Sequence, residues 1–315
     1  MTSEITEGIL LVDKPKGLTS FDVVARVRRE CKTRSVGHTG TLDPFATGLL
    51  VILLGRYTRL SNYLTAQDKT YEAQICLGIG TDTDDCDGKE IARADASHIT
   101  QEVIQEALKS FLGDQLQVPP QYSAISINGE RAYKKARRGE VVEHEPRPII
   151  VHELDFCHPG LEPGSSTGSR VIPYRAREPG MTQDEGEVSV NIRLKVSKGT
   201  YIRAIARDLG AKLGVPAHLT ELRRTASGPY QVVEVTGKLL TGVGAIRGVP
   251  LVSINMEQSE ALKKGQRPIC HPGGGQGLDA GLRQHDSTVA LAHLEDEPIA
   301  LVRVEKGVLV PIRGF

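Results

Sequence analysis

Strict alternation of apolar and polar residues marks the clearest strands of this chain. From Val188 to Val196 every second residue is apolar and the residues between are polar, which is the pattern of a strand with one buried face. Tyr71 to Ile79 alternates similarly and predicts a second half-buried strand with Tyr71 at its start. The apolar runs Gly8 to Val12 and Leu49 to Leu54 predict two further strands, both buried.

Apolar residues spaced by three and four positions predict helices between these strands. One helix follows Thr19 or Ser20, either of which can cap its amino terminus. A second is capped by Thr100 and is expected to end at Gly113. A third begins after the turn 198–200, which places Arg203 in its first turn.

Strands and isolated helices follow one another without regular alternation, which favours an α+β fold built on a mixed, largely antiparallel sheet flanked by helices. The pattern of residue types along the chain changes near Pro250. Predicted strands at 299–304 and 307–311 indicate a small β-rich domain at the end of the chain. We therefore expect a large domain at 1–248 and a small one at 249–315. Residues 159–187, rich in proline, glycine and serine, are expected to form a mobile insertion.

Charge is balanced overall but not locally. The 315 residues include 39 basic and 39 acidic side chains, which argues against nucleic acid binding by bulk positive charge. Residues 193–224 nevertheless contain eight basic and two acidic residues, and residues 131–138 contain five basic residues and no acidic one. Either cluster alone is typical of a solvated surface, whereas two of them in a neutral chain indicate a track for a polyanion.

Several classes of protein are not expected. The run Leu49 to Leu54 is far shorter than the roughly 20 residues that cross a bilayer, and Met1 to Gly8 lacks the features of a signal peptide. Five cysteines without a Cys-x-x-Cys pair indicate neither a zinc site nor a disulfide framework. The acidic segment Asp82 to Gly88 lacks calcium-loop spacing and predicts a turn between strands. We expect a cytoplasmic protein without membrane contact, metal or dinucleotide fingerprint.

The segment Gly37 to Gly48 presents one carboxylate, Asp43, in a loop punctuated by glycines. Glycine permits backbone angles closed to other residues, and Pro44 keeps the residue before it out of the helical region. Such a loop can hold a side chain rigidly. Taken alone, an Asp-Pro in a loop more often bonds to its own backbone.

The whole segment resembles the catalytic signature of pseudouridine synthases of the TruB family, and further motifs follow in the same order. They are Lys14-Pro15-Lys16-Gly17-Leu18-Thr19-Ser20, Lys69-Thr70-Tyr71-Glu72-Ala73, Pro119 to Ala124 with Gly129 and Tyr133 to Gly139, Ser197 to Arg203, Ala217-His218-Leu219, and Leu222-Arg223-Arg224 to Gly228-Pro229-Tyr230. The likeness covers nearly the whole chain to about residue 235 and continues more weakly beyond it. Departures are few: Ser126 and Val196 replace a common lysine and a common cysteine, and the insertion is longer than usual.

The resemblance implies a pseudouridine synthase fold and isomerisation of uridine 55 in the T loop of transfer RNA, with the target base flipped out of the stack. It implies that Asp43 is the nucleophile, that Arg203 is its ion-pair partner, and that Tyr71 stacks on the base and is a candidate for proton transfer. A cation is physically needed, because a buried carboxylate resists ionisation and an adjacent arginine lowers a carboxylate pKa by about 1–3 units. Without the resemblance, Arg203 would be interpreted as a surface residue and Tyr71 as packing.

The same resemblance assigns further residues to RNA binding, in a large domain that is then the catalytic domain. They are His38, Leu222, Thr41, Tyr201, Lys14, Lys134, Lys135, Arg137, Arg138 and Arg223. An RNA-binding arm is expected at about 119–145, and a PUA-like fold is the candidate for 249–315. The implied enzyme is a monomer that acts on the T arm of tRNA with no cofactor and no obligatory protein partner.

Two other function classes stay open at this point. One is a noncatalytic RNA-binding protein on the same scaffold, although binding alone would not require Asp43, Tyr71 and Arg203 together. The other is a hydrolase with paired carboxylates, for which the sequence names no partner acid of Asp43. An assay for released free uracil separates hydrolysis from isomerisation.

Overall fold

The structure is a computed structural model that describes residues 7–123, 126–127, 129–132, 138, 140, 144–157, 186–269, 288–305 and 308–315. The α-helices in these ranges are α1 (Ser20–Glu30), α2 (Ser61–Thr65), α3 (Gln101–Lys109), α4 (Ile202–Leu213) and α5 (Met256–Lys263). Short 3-10 helices lie at Gly55–Leu60, Val232–Glu234 and Val243–Ala245.

The strands of the first part of the chain are β1 (Gly8–Lys14), β2 (Val36–His38), β3 (Thr47–Leu54), β4 (Lys69–Leu77), β5 (Ile79–Thr81), β6 (Glu90–Arg93), β7 (Gly113–Gln117), β8 (Ser126–Ile127) and β9 (Glu130–Arg131). The later strands are β10 (Arg147–Cys157), β11 (Val188–Val196), β12 (Ala217–Ser227), β13 (Tyr230–Gln231), β14 (Leu239–Leu240), β15 (Leu251–Ser253), β16 (Thr288–Leu294), β17 (Glu297–Glu305) and β18 (Val308–Gly314).

One large sheet organises the first part of the chain. Its strand order is β14-β1-β3-β12-β4-β11-β10-β7, with β2 pairing with β3 and β13 pairing with β12. Within the described part of this sheet, β3 and β12 form the one parallel pair and all other neighbours are antiparallel. The predicted mixed, largely antiparallel sheet is therefore confirmed.

Helices cover this sheet where the apolar pattern predicts them. Thr19 caps α1, because its hydroxyl accepts from the Asp22 backbone N–H at 3.1 Å while the Asp22 carboxylate accepts from the Thr19 N–H at 2.8 Å. The valines of α1 pack on Leu50, Ile52 and Leu54 of β3, and the opposite face of β3 is buried in a second cluster. Helices α3 and α4 pack on β4, β11 and β12.

Two local predictions are wrong in detail. Strand β4 ends at Leu77, because Gly78 takes a φ of 105°, and the separate short strand β5 begins at Ile79. Its second face is also largely covered, with Glu72 and Cys76 as buried as Ala73, because side chains of β11 and β12 flank it, as Arg193 and Arg223 flank Glu72. Helix α3 ends at Lys109, and Gly113 is instead the first residue of β7.

A second sheet with the order β15-β16-β17-β18 forms near the end of the chain. The predicted strands correspond to β17 and β18, while β15, β16 and α5 were not predicted. Residues of this sheet, Leu291 and Leu301, share a buried cluster with Tyr57 and Leu60 of the first part of the chain. A β-rich end of the chain is confirmed, and the boundary at 248/249 and a PUA-like fold stay predictions.

Two predicted segments lie partly outside the described residues. Of the insertion at 159–187, only Gly186 and Glu187 are described, and they belong to the fold: the Gly186 carbonyl accepts from the Ala96 N–H at 2.7 Å, and Glu187 lies 3.3 Å from Arg93. Of the arm at 119–145, the described portion includes the short hairpin β8–β9. No helix within the described ranges is both long enough and apolar enough to cross a membrane.

Candidate active site

Asp43 lies in the loop between β2 and β3, and neighbouring side chains fix the backbone on both sides of it. The Ser20 hydroxyl donates to the Leu42 carbonyl at 3.2 Å and accepts from the Leu42 N–H at 2.8 Å. The Lys14 ammonium donates to the carbonyl of Pro44 at 3.3 Å. Both residues that flank Asp43 in sequence are therefore tied to the segment that runs from β1 into α1.

Arg224 of β12 is the third anchor of the loop and is 2% exposed. Its guanidinium donates to the carbonyls of Leu49 at 2.7 Å, Gly40 at 3.1 Å and Thr41 at 3.4 Å. Gly48 permits this approach: its φ is 100°, and a Cβ there would collide with the Arg224 backbone. The glycines of the loop thus serve to bring it against a buried arginine.

Arg203 comes from the first turn of α4, as predicted, and is 5% exposed. Its Nε lies 3.0 Å from Oδ2 of Asp43, and its Nη2 donates to Oδ1 at 3.4 Å. The Nε is not aligned for a hydrogen bond, so charge attraction contributes most to this pair. The guanidinium also lies 3.4 Å from the Asp85 carboxylate and donates to the carbonyls of Thr83 and Tyr122, both at 2.9 Å.

The acidic turn between β5 and β6 supplies the second carboxylate of this network. Burial raises the pKa of Asp85, against the opposing effects of the Thr83 hydroxyl and Arg203. Burial also raises the pKa of the neighbouring Asp84 to about 6, although Arg207 lies 3.4 Å away. The segment joins two strands as predicted, but it also presents a carboxylate to Arg203.

A cavity of about 810 Å³ opens above Asp43, and six of the thirteen predicted site residues line it. Besides Asp43 and Arg203, its lining includes the predicted residues Thr41, Tyr71, Tyr201 and Leu222. Tyr71 and Leu222 are almost fully buried and lie on the adjacent strands β4 and β12, where they form an aromatic and an apolar wall. A flat base would meet a ring on one side and a carboxylate held by an arginine on the other.

Two predicted binding residues, Lys14 and His38, lie outside the cavity lining. Lys14 is fully buried, and its ammonium donates to the carbonyls of Leu18 at 2.7 Å, Pro15 at 3.1 Å and Pro44. Lys14 therefore stabilises the loop and does not present its charge to RNA. His38 accepts the Gly40 N–H on Nδ1 at 3.2 Å, and burial next to Arg224 lowers its pKa.

The other basic residues predicted to bind RNA are partly exposed, exposed or outside the described residues. Arg223 forms an ion pair with Asp13 at 2.6 Å and keeps its side chain 27% exposed. Arg138 is exposed and pairs with Glu140 at 2.8 Å. The other predicted arm residues, Lys134, Lys135 and Arg137, lie outside the described residues. Their role in RNA binding stays a prediction.

Sequence reasoning missed Asp85, Lys69 and the anchoring role of Arg224. Asp85 was passed over as part of a turn, and Arg224 was counted with a surface cluster. Lys69 also lines the cavity, and burial lowers its pKa to about 8. Lys69 and Arg224 belong to motifs quoted above, whereas Asp85 lies outside all of them. Within the ranges that the structure describes, no group of three or more His, Cys, Asp or Glu residues is placed to hold a metal ion.

Comparison with known proteins agrees with this fold. A chain of an H/ACA ribonucleoprotein bound to a substrate RNA containing 2'-deoxyuridine superposes with a TM-score of 0.68 and 22% identity, covering 99% of this chain and 86% of that one. The fold, together with the sequence matches to pseudouridylate synthases given next, defines a pseudouridine synthase, which is an isomerase.

The particular family follows from the sequence matches. Residues 28–202 match the TruB family pseudouridylate synthase amino-terminal domain, and residues 203–243 match the tRNA pseudouridylate synthase B carboxy-terminal domain. The tRNA pseudouridine synthase B of Corynebacterium efficiens is 38% identical over 309 residues, or 95% of this chain and 96% of that protein. That of Thermobifida fusca is 48% identical over 228 residues, or 72% of each. The chain belongs to the TruB family of pseudouridylate synthases.

Proposed function

We propose that this protein isomerises uridine 55 in the T loop of tRNA to pseudouridine, with Asp43 as the nucleophile. The observation that carries the proposal is the Asp43–Arg203 pair in a cavity walled by Tyr71 and Leu222. Relatives that match most of the chain are named tRNA pseudouridine synthase B, which supports tRNA as the substrate class.

The reaction needs an ionised carboxylate and little else. The bond between uracil N1 and ribose C1' breaks, the base turns, and C5 joins C1', while the C5 proton is lost and N1 is protonated. Asp43 can assist by adding to the base or by trapping C1', which are both forms of covalent catalysis. Arg203 favours the ionised form of Asp43 through its charge, and the Asp85 carboxylate holds Arg203 from the other side.

Access to the target requires that its nucleotide leave the RNA stack. Extrusion costs a few kcal/mol, which stacking and pocket contacts offset. Tyr71 offers the ring for stacking, and Leu222 closes the apolar side. His38, held to the backbone of Gly40, would position the loop near the flipped nucleotide. The arm at 119–145 and the exposed basic residues of 193–224, which are Arg193, Lys198 and Lys212, would bind phosphates without reading sequence.

We further propose that the protein acts as a cytoplasmic monomer without cofactor.

The decisive test of the isomerisation incubates the purified protein with a synthetic T-arm stem-loop that carries tritium at C5 of the target uridine. Tritium released to water, with pseudouridine formed and RNA mass otherwise unchanged, would support the proposal. Asp43→Asn protein is the matched control. Release of free uracil would favour a hydrolase, and RNA binding without product would favour a noncatalytic binding protein.

A further inference from the structure

Positive charge dominates the lining of the active-site cavity. One carboxylate, that of Asp43, faces five cations among the described lining residues: Lys69, Arg147, Lys198, Arg203 and Arg224. Arg203 is committed to two carboxylates, and Arg224 to three loop carbonyls. Arg147 and Lys198 are exposed at the mouth. Lys69 is the buried lysine of this lining: like Arg224 it has no ion-paired carboxylate among the described residues, but it is bonded to two carbonyls and not three.

Lys69 is positioned beside the reacting groups. It lies on β4 two residues before Tyr71, so the two side chains project from the same face of the sheet. It is 7% exposed, and its Nζ donates to the carbonyls of Thr65 and Gln67, each at 2.5 Å. An ammonium has three N–H donors, and within the part of the chain that the structure describes neither a third acceptor nor an ion-paired carboxylate is found for Lys69.

A buried ammonium without an anion is costly, so its retention beside the reaction site points to an anion supplied by the ligand. An RNA nucleotide carries a phosphate on each side of its ribose. We propose that Lys69 binds a phosphate next to the target uridine and so fixes the flipped nucleotide in front of Asp43. The inference rests on the proposed RNA substrate and assigns a phosphate subsite at the Tyr71 end of the cavity.

A double-substitution experiment tests this contact directly. Lys69→Met protein and wild-type protein are each assayed with T-arm stem-loops in which the phosphate 5' or 3' of the target uridine is replaced by a neutral methylphosphonate. Loss of a charge-assisted hydrogen bond should weaken RNA binding roughly tenfold or more. For one of the two linkages, the neutral group should weaken wild-type binding by that factor but leave Lys69→Met binding unchanged.

Two further measurements separate this role from a structural one. Lys69→Met removes the bonds to Thr65 and Gln67 and can lower stability. If that were its only effect, the neutral linkage would weaken RNA binding by the same factor in the variant as in wild type. Because the Lys69 pKa is lowered to about 8 by burial and by Arg224 and Lys198, with Asp68 opposing, wild-type affinity should fall as pH rises through 8, and that fall should be absent in Lys69→Met. The control Lys109→Met removes an exposed lysine of α3 and should bind like wild type.

Each outcome has one meaning. If the effects of Lys69→Met and of the methylphosphonate on RNA binding multiply for both linkages, and Lys69→Met keeps the wild-type pH dependence, the phosphate subsite is wrong. If wild-type protein isomerises the stem-loop and the coupling is absent, only the subsite is wrong. If wild-type protein forms no pseudouridine, the proposed function is wrong, and the coupling measured by binding alone still decides whether Lys69 holds a phosphate.

Discussion

Replacing Arg203 by Met should disable the enzyme and weaken the fold, because one buried guanidinium holds two carboxylates. Arg203 is 5% exposed, lies 3.0 Å from Asp43 and 3.4 Å from Asp85, and donates to two carbonyls. Breaking a buried pair by removing one partner typically costs about 3–5 kcal/mol of unfolding free energy. Loss of an electrostatic group of this kind lowers kcat by roughly 10²–10³-fold.

The pH profile should change as well. Without the guanidinium, Asp43 and Asp85 repel each other directly, and the pKa of Asp85, which burial already raises, should rise further. An adjacent guanidinium favours the ionised form of a carboxylate, so its loss should also move the acidic limb of the rate profile to higher pH. Arg203→Lys keeps the charge but not the planar fork, and it should restore the profile only in part.

The assay is tritium release from a T-arm stem-loop under single-turnover conditions, combined with urea unfolding. Arg207→Met is the matched control, since Arg207 lies one turn along α4 and its side chain is 32% exposed in its pair with Asp84. That control should lose less stability than Arg203→Met, because Arg207 is partly exposed and Asp84, whose pKa is already raised to about 6, can take up a proton when its partner is removed. A near-normal rate and an unshifted acidic limb in Arg203→Met would refute the reasoning.

Three further expectations concern other parts of the molecule. Asp43→Asn should abolish turnover while leaving unfolding and RNA binding nearly unchanged, and any isomerisation by the pure variant would contradict the nucleophile assignment. Replacement of the arm cations by Ala should weaken tRNA binding and reduce the salt slope by about 0.7–0.9 per lost contact, and wild-type affinity with wild-type slope would remove the arm from RNA binding. The cations are Lys134, Lys135, Arg137 and Arg138. Asp84→Asn should stabilise the protein by up to about 3 kcal/mol at pH 8 and not at pH 3. Burial raises the pKa of Asp84 to about 6 in the native state, whereas the pKa in the unfolded chain is near 3.8. The native state therefore loses stability as the pH rises from 3.8 through 6. Equal stability of variant and wild type at pH 8 in urea would show that Arg207 fully compensates the burial.

Much of the fold could be predicted because local pattern and tertiary burial agree. Strand β11 alternates strictly, and its inward residues are the ones that the sheet buries. The α4 helix ends at Gly214, whose φ of 76° only glycine adopts readily. The predictions failed where neighbours decided the outcome. Strand β4 was predicted to be half-buried, but side chains of the neighbouring strands β11 and β12 flank its second face and bury Glu72 and Cys76 there.

In the candidate site, too, some features follow from the local sequence and others depend on tertiary neighbours. The chain itself specifies a rigid loop around Asp43 and places Arg203 at the start of a helix, because glycine, proline and apolar periodicity act over a few residues. Tertiary structure alone decided that Lys14 and Arg224 bond to that loop, that Asp85 faces Arg203, and that Lys69 is buried beside Tyr71. These residues are polar, and a sequence does not reveal whether a polar side chain ends in water or against a carbonyl. That outcome depends on which strands become neighbours across more than a hundred residues of chain, as when β12 pairs with β3 and β4.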